Sequence, residues 1–265
     1  MTSGMDEKPE GWSDRYGAWF EERSVANRYP LRPAYPPETF ELLASLIVDS
    51  PRMVLDAGCG PGDIGRTLAP RVDGVDMVDR SEAMLAEGRR LSGDLANVRW
   101  IRAPIEEAPL APPYALIVAG ESIHWFDWER AIPLFARSLS AHGMLALVYR
   151  NWLRSDALRE RLAPVYARHG ANPDFTPLDP VAELERRGLF ARVGEHRTAP
   201  ASWTPTLQEM IDCHHSQNGF VLEKMHDPDA FDREVSDAVE ELVPACDGRV
   251  QLDVTATITW GRPLA

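Results

Sequence analysis

Asp56, Gly58, Gly60 and Gly62 stand at alternate positions at the end of the apolar run Val54-Leu55, and everything else in the 265-residue chain can be placed relative to them. Glycine has no Cβ and tolerates positive φ, so such a turn lets a ligand lie against the backbone. A helix starting after it would aim its free N–H groups at the same ligand, and Asp56 would project from the carboxyl end of its strand, where open α/β sheets place their sites. The pattern departs from the dinucleotide fingerprint Gly-x-Gly-x-x-Gly, because Gly62 comes one residue early and follows Pro61. An ionised carboxylate only accepts hydrogen bonds, so Asp56 suits an ammonium or a hydroxyl better than a phosphate. Taken alone, the glycines also fit an ordinary strand-to-helix turn.

Other residues could serve the same site. Asp79 stands about twenty residues past the glycines, the distance at which an acidic residue ending a second strand accepts bonds from ribose hydroxyls; Asp76 competes from inside that strand. Glu121 and His124 follow a fourth apolar run. The imidazole suits a general base at neutral pH, and it equally suits a pocket wall. Arg32 and Arg150 could each pair with a carboxylate or serve as structural arginines. His214 and His215 are adjacent, so on a helix they point different ways and do not suggest a metal site.

Composition narrows the partners. A formal net charge of −13 argues against general nucleic-acid binding, which is driven by clustered Lys and Arg. Cys59, Cys213 and Cys246 are scattered, so neither a disulfide framework nor a zinc site is expected and a reducing cytoplasm fits. No stretch approaches the ~20 apolar residues of a membrane span, and the polar start carries no signal-peptide core.

The elements that must position these residues can be read in order. Residues 1–10 are polar and expected to fray. Trp12, Tyr16, Trp19 and Phe20 fall near helical spacing, as core or as a lid, before the prolines from Pro30 to Pro37. Residues 38–48 predict a helix. Strands are expected at 53–57, 72–79, 98–102, 114–119 and 144–149, separated by helices ending near 69 and 90 and by one over 128–139. That alternation implies a parallel sheet with helices on both faces. Beyond it, helices at 155–168, 181–188, 204–215 and 229–242 and strands at 190–199 and 249–260 would close the sheet beneath a cap.

With the motifs in this order, the chain resembles the class I S-adenosylmethionine-dependent methyltransferases over most of its length. Asp56-x-Gly58-x-Gly60-x-Gly62 is similar to the family's first motif and Asp79-x-Ser81-x-x-Met84 to its second. Ala103-Pro104-Ile105-Glu106 resembles the adenine loop, commonly Gly-Asp-Ala-Glu, with Pro104 replacing the Asp so that backbone at Ile105 must serve. Tyr29 with Arg32-Pro33-x-Tyr35-Pro36, and His124-Trp125-Phe126-Asp127, resemble the methyltransferase type 11, trans-aconitate-methyltransferase-like group.

The resemblance implies a Rossmann-like, doubly wound, mostly parallel seven-stranded sheet with a helical cap near the C-terminus. Residues 1–37 would form a lid segment and 38–150 the cofactor-binding core. In the remainder, 151–265, segments 190–200 and 249–261 would complete the sheet, and 151–189 and 201–248 would form the substrate cap. S-adenosylmethionine would meet Tyr29, Arg32, Asp56, Ala57, Gly58, Cys59, Gly60 and Gly62, then Asp79, Arg80 and Met84, then Pro104, Ile105 and Glu106, and finally Gly120, Glu121 and Ser122. The acceptor would meet Tyr16, Trp19, His124, Trp125, Arg150, Trp152, His214, His215 and Gln217, with His124 or Glu121 as a base if one is used. Methyl transfer is an in-line displacement at a methyl already activated by the sulfonium, so alignment is the main demand. A carboxylate attacks as it stands, whereas a phenol or ammonium must first lose a proton. The favoured acceptor is a carboxylate oxygen of a small acid or peptide C-terminus. A phenolic oxygen or ring nitrogen, and a non-catalytic cofactor-binding protein, are the alternatives. No metal, nucleic acid or membrane partner is expected.

Overall fold

The computed structural model describes residues 8–152, 156–242 and 248–264; Cys246 and Ser155, the expected start of a helix, lie outside them. At its centre is β1 (Met53–Ala57), buried from Val54 to Ala57. Unbroken burial requires cover on both faces, and the alternation of a strand sorts its side chains between them. Val54 joins a core with Phe40, Leu43, Ile64 and Leu68, while Leu55 and Ala57 join Ile117, Ile132 and Phe135 on the other face.

Around β1 lie β2 (Gly74–Asp79), β3 (Val98–Arg102), β4 (Tyr114–Gly120) and β5 (Leu139–Asn151), all parallel to their neighbours. They are followed in the chain by β6 (Phe190–Arg197), β7 (Ala201–Trp203) and β8 (Leu252–Pro263). β8 runs antiparallel between β5 and β6, giving the order β3-β2-β1-β4-β5-β8-β6. The order reverses between β1 and β4, the switch point where doubly wound sheets open a crevice. The expected seven strands are therefore present, and β7 is an eighth, pairing with β8; three residues are too few for a period-two pattern to register. β5 starts earlier than expected because Asp49 accepts bonds from the Ser140 hydroxyl and the His142 N–H, holding a polar stretch in line with the strand.

Short helices α1 (Asp14–Gly17) and α2 (Arg23–Arg28) precede α3 (Pro37–Ser45), α4 (Asp63–Leu68) and α5 (Glu82–Ser92). The aromatic residues from Trp12 to Phe20 do not share one helix: Trp12 packs on Trp125 and Phe175, Tyr16 donates to Asp174, and Phe20 meets Trp125. α6 (Trp128–Ser138) starts at Asp127, whose carboxylate caps the Glu129 N–H, and buries Trp128, Ala131, Ile132 and Phe135 at helical spacing against the sheet. α7 (Asp156–His169), α9 (Leu207–His214) and α10 (Pro228–Leu242) share a separate core with β8, including Leu158, Leu162, Met210, Phe231 and Leu252, and this is the cap. α8 (Pro180–Arg186) falls outside it, because Val181 and Leu184 pack into the sheet core beside α6. Among the described residues no helix is long and apolar enough to cross a membrane.

Candidate active site

At the carboxyl end of β1 the chain turns through Gly58 and Gly60, both at positive φ, and Gly62 opens α4 in the left-handed region at φ 81°. A Cβ on Gly58 would lie 2.6 Å from the Ser122 Cβ, so this position demands glycine both for its φ and for the close approach of the segment after β4. Asp79, ending β2, fixes the turn: its Oδ2 accepts the Gly60 N–H at 2.8 Å and its Oδ1 the Ser81 N–H at 2.8 Å. Burial raises its pKa, with the two N–H groups opposing. A carboxylate has about four lone-pair sites, so two stay open toward the cavity. Asp76 is no rival, because both its oxygens are taken by Arg99 and one also accepts from Tyr114.

The turn opens onto a cavity of about 480 Å³. Of the expected cofactor residues, Tyr29, Arg32, Gly58 and Gly60 line it, as do Asp79, Arg80 and Met84. Pro104, Ile105 and Glu106 line it from the loop after β3, and Gly120, Glu121 and Ser122 from the end of β4. Trp125 is the single expected acceptor residue on its wall. Ala57, Cys59 and Gly62 are not: Ala57 and Cys59 are buried behind the turn, and Gly62 packs toward Met77 and Trp100. Lys8, Ser13, Asp14, Gly17 and Phe20 line the cavity from the N-terminal segment, which the sequence left partly frayed. Arg80 anchors that segment through ion pairs with Asp14 and Glu21. Phe126, Asp127, Glu107 and Arg130 were also missed, although Phe126 and Asp127 lie inside a motif the sequence had singled out.

Glu121 adopts φ 53°, uncommon for a residue with a side chain, and its carboxylate is gripped by two guanidiniums. Arg150 Nη2 lies 3.1 Å and Arg32 Nη1 3.3 Å from Oε2. Burial pushes the Glu121 pKa up, but Arg150 and Arg32 outweigh it and bring it down to about 2. A carboxylate so held is a very weak base. Arg150 is 2% exposed, donates also to the Pro33 carbonyl and lies over the Tyr35 ring, so it is not the open substrate-binding arginine expected from sequence. Arg32 reaches the cap, donating to Ser216 Oγ at 2.8 Å, and stacks over Tyr29.

His124 does not line the cavity. Its Nδ1 lies 3.1 Å from the Tyr149 hydroxyl and its ring packs edge-on against Trp12. Burial brings its pKa down to about 3, so the ring is neutral and weakly basic. In the cap, His214 bonds the Met210 carbonyl and the Tyr166 hydroxyl, and Trp152 packs on its ring. His215 bonds the Phe220 carbonyl and Asp232. These three hold the cap core instead of facing the cavity. Tyr16 is fully buried against Trp19, and the Gln217 amide nitrogen is buried without a protein partner among the described residues. No group of three His, Cys, Asp or Glu among the described residues could hold a metal ion.

Asp56 accepts the Gly65 N–H at 2.8 Å and borders a second cavity of about 10 Å³, room for one water, that shares Tyr29 and Gly120 with the first. It therefore borders this small space and does not line the larger cavity. Burial pushes its carboxyl up to about 7. The folded state thus keeps this proton to higher pH than the unfolded chain, and stability falls as pH rises from 3.8 to about 7. Asp56→Asn cannot ionise, so wild type should lose up to about 1.4 kcal/mol per pH unit relative to the variant across this window. Denaturant unfolding at pH 5 and pH 7 measures the difference; an unchanged gap would place the ionisation elsewhere.

A methyltransferase-domain family model matches residues 54–143, from β1 through the start of β5. Trans-aconitate 2-methyltransferase of Delftia acidovorans is 38% identical over 117 residues, spanning 40% of this chain and 41% of that protein. The enzyme of the same name from Azoarcus sp. is 27% identical over 208 residues, 76% of this chain and 74% of its own length. Among solved structures, a protein of Anaeromyxobacter dehalogenans described as a type II methyltransferase superposes with a TM-score of 0.62 at 21% identity, covering 87% of this chain and 97% of that one. A methyltransferase of Thiobacillus denitrificans solved with S-adenosylhomocysteine gives 0.50 at 14% identity, covering 88% and 96%. At these identities the structures speak for the fold, and the chain matches less than half the length of the first of these relatives. Residues 54–143 thus match a methyltransferase domain, and the chain is similar over a larger span to trans-aconitate 2-methyltransferases.

Proposed function

We propose that the protein transfers a methyl group from S-adenosylmethionine to a carboxylate oxygen of a small acid. The observation that carries the acceptor class is that neither expected base can serve: His124 lies outside the cavity and is held at about 3, and Glu121 is gripped by two guanidiniums and held at about 2. Neither can deprotonate a phenol near 10 or an ammonium, whereas a carboxylate is ionised at neutral pH and needs no base. The name shared by the Delftia and Azoarcus relatives, trans-aconitate 2-methyltransferase, agrees with a polycarboxylic acid.

The cavity residues fit the cofactor. Asp79 has acceptor sites left for two ribose hydroxyls, Gly58 and Gly60 bring bare backbone to the cavity wall, and 480 Å³ lies within the usual range of ligand sites. Ile105 and Pro104 would border the adenine, and Tyr29 with Arg32 would stand at the methionine end, Arg32 facing its carboxylate. When bound, the cofactor supplies a methyl already activated on a sulfonium. The protein's task is then to hold the acceptor in line and exclude water, which can supply about 7–11 kcal/mol of the barrier when geometry is optimal. Phe20, Trp125 and Phe126 provide that dry wall.

The test is incubation with methyl-labelled S-adenosylmethionine and matched sets of acids, trans-aconitate, citrate and succinate among them, and phenols. The expected product is a methyl ester, which mild alkali hydrolyses to volatile labelled methanol. An alkali-stable label would mean an ether or amine and would overturn the carboxylate assignment. With such an acceptor, kcat should stay flat from pH 6 to 9. A rising limb in that range would restore a general base to the mechanism.

A further inference from the structure

We propose that Lys8 is the residue that recognises the acceptor's anion, placing an ammonium in the cavity beside Trp125 and Phe126. Lys8 and Lys224 are the only lysines in a chain whose other basic side chains are arginine and histidine, and Lys224 is paired with Glu22. Lys8 has no such partner. It is half-buried on the cavity wall, and its Nζ donates to the backbone carbonyls of His124, at 3.2 Å, and Phe126. An ammonium has three N–H donors, and among the described residues nothing accepts the third and no carboxylate lies within ion-pair distance.

The position is built. Two carbonyls hold the ammonium, the Trp128 ring lies 5.4 Å beneath it, and the backbone just beyond is pinned where the Trp12 indole donates to the Thr176 carbonyl and Asn172 to the Gly11 carbonyl. Asp127, Glu106 and Asp14 favour the charged form from a distance and Arg187 opposes it, but burial dominates and brings the amine down to about 8. A cation in this place has little to gain from the methyl donor, whose sulfonium and ammonium are positive and whose adenine is neutral. The donor's carboxylate is assigned to Arg32, at the methionine end. An anionic acceptor is the ligand that would take the third donor and offset the desolvation, and it would do so inside a protein whose net charge of −13 otherwise repels acids.

This inference rests on the proposed transfer to an acid. Its test uses the full chain: calorimetric titration of wild type, Lys8→Gln and Lys8→Arg with S-adenosylhomocysteine, then of each loaded protein with acetate, succinate, citrate and trans-aconitate at pH 7 and pH 9. All three proteins should bind S-adenosylhomocysteine alike. Loaded wild type should bind a polycarboxylate at pH 7 and lose about 10-fold in affinity by pH 9, as the ammonium deprotonates. Lys8→Gln should be at least 10-fold weaker at pH 7, and Lys8→Arg should bind equally at both pH values. Equal acid affinity in Lys8→Gln, a loss of S-adenosylhomocysteine binding instead, or no acid binding by loaded wild type would each overturn the assignment. Failure of wild type to bind S-adenosylhomocysteine at all would overturn the underlying methyltransferase reading, and this inference with it.

Discussion

Asp79→Ala should lower the affinity for S-adenosylhomocysteine by about 100-fold, or roughly 2.7 kcal/mol. Two effects combine. The carboxylate is the acceptor proposed for the ribose hydroxyls, and a hydrogen bond to a charged group contributes about 1.5–3 kcal/mol. It also holds the Gly60 and Ser81 N–H groups at 2.8 Å, so its loss leaves two donors orphaned at the turn that shapes the cavity. Asp79→Asn keeps one acceptor oxygen and should fall between the two. Calorimetry reads both variants, with circular dichroism to establish that they fold. An unchanged affinity would mean that the ribose is held elsewhere in the cavity, where Glu106 is the next carboxylate.

Glu121→Gln should cost about 3–5 kcal/mol of folding stability, the range for removing one partner of a buried ion pair. The carboxylate stands between Arg150, 2% exposed, and Arg32, 11% exposed, and neither guanidinium can lose its proton to escape the loss. Asp63, 3.4 Å from Arg150, compensates only in part. Because the folded pKa is depressed to about 2 from 4.5, the stabilisation is fully present above 4.5 and is lost as pH falls through 2. Denaturant unfolding at pH 7 measures the cost. The double variant Glu121→Gln with Arg150→Met should recover part of it, since the stranded charge is then gone. A single-variant effect below about 1 kcal/mol would show that water, not protein, solvates this cluster.

The cavity wall around the glycine turn was legible in the sequence because local chemistry dictates it. Gly58 is needed where the segment after β4 closes on the turn, and an acid ending β2 is brought to that turn by the parallel pairing of β1 with β2, so spacing alone set Asp79 beside the glycines. The alternation of strands and helices gave the sheet for the same reason. The acceptor half was not legible. Arg150, His214 and His215 have the residue types of a binding site, but their partners Glu121, Tyr166 and Asp232 lie 29, 48 and 17 residues away, and only folding shows that their hydrogen bonds are already used. Lys8 failed in the opposite sense. A polar stretch with no periodicity reads as frayed, and what fixes it is a pair of backbone carbonyls after β4, which carry no side-chain signal.

A cavity built for S-adenosylmethionine should discriminate that ligand from a dinucleotide. Calorimetric titration of the purified chain with S-adenosylhomocysteine, beside an identical titration with NAD, tests it most directly. Micromolar, one-to-one binding of S-adenosylhomocysteine with no heat from NAD is the expected result; binding of NAD, or of neither, would show that the cavity is not an S-adenosylmethionine site.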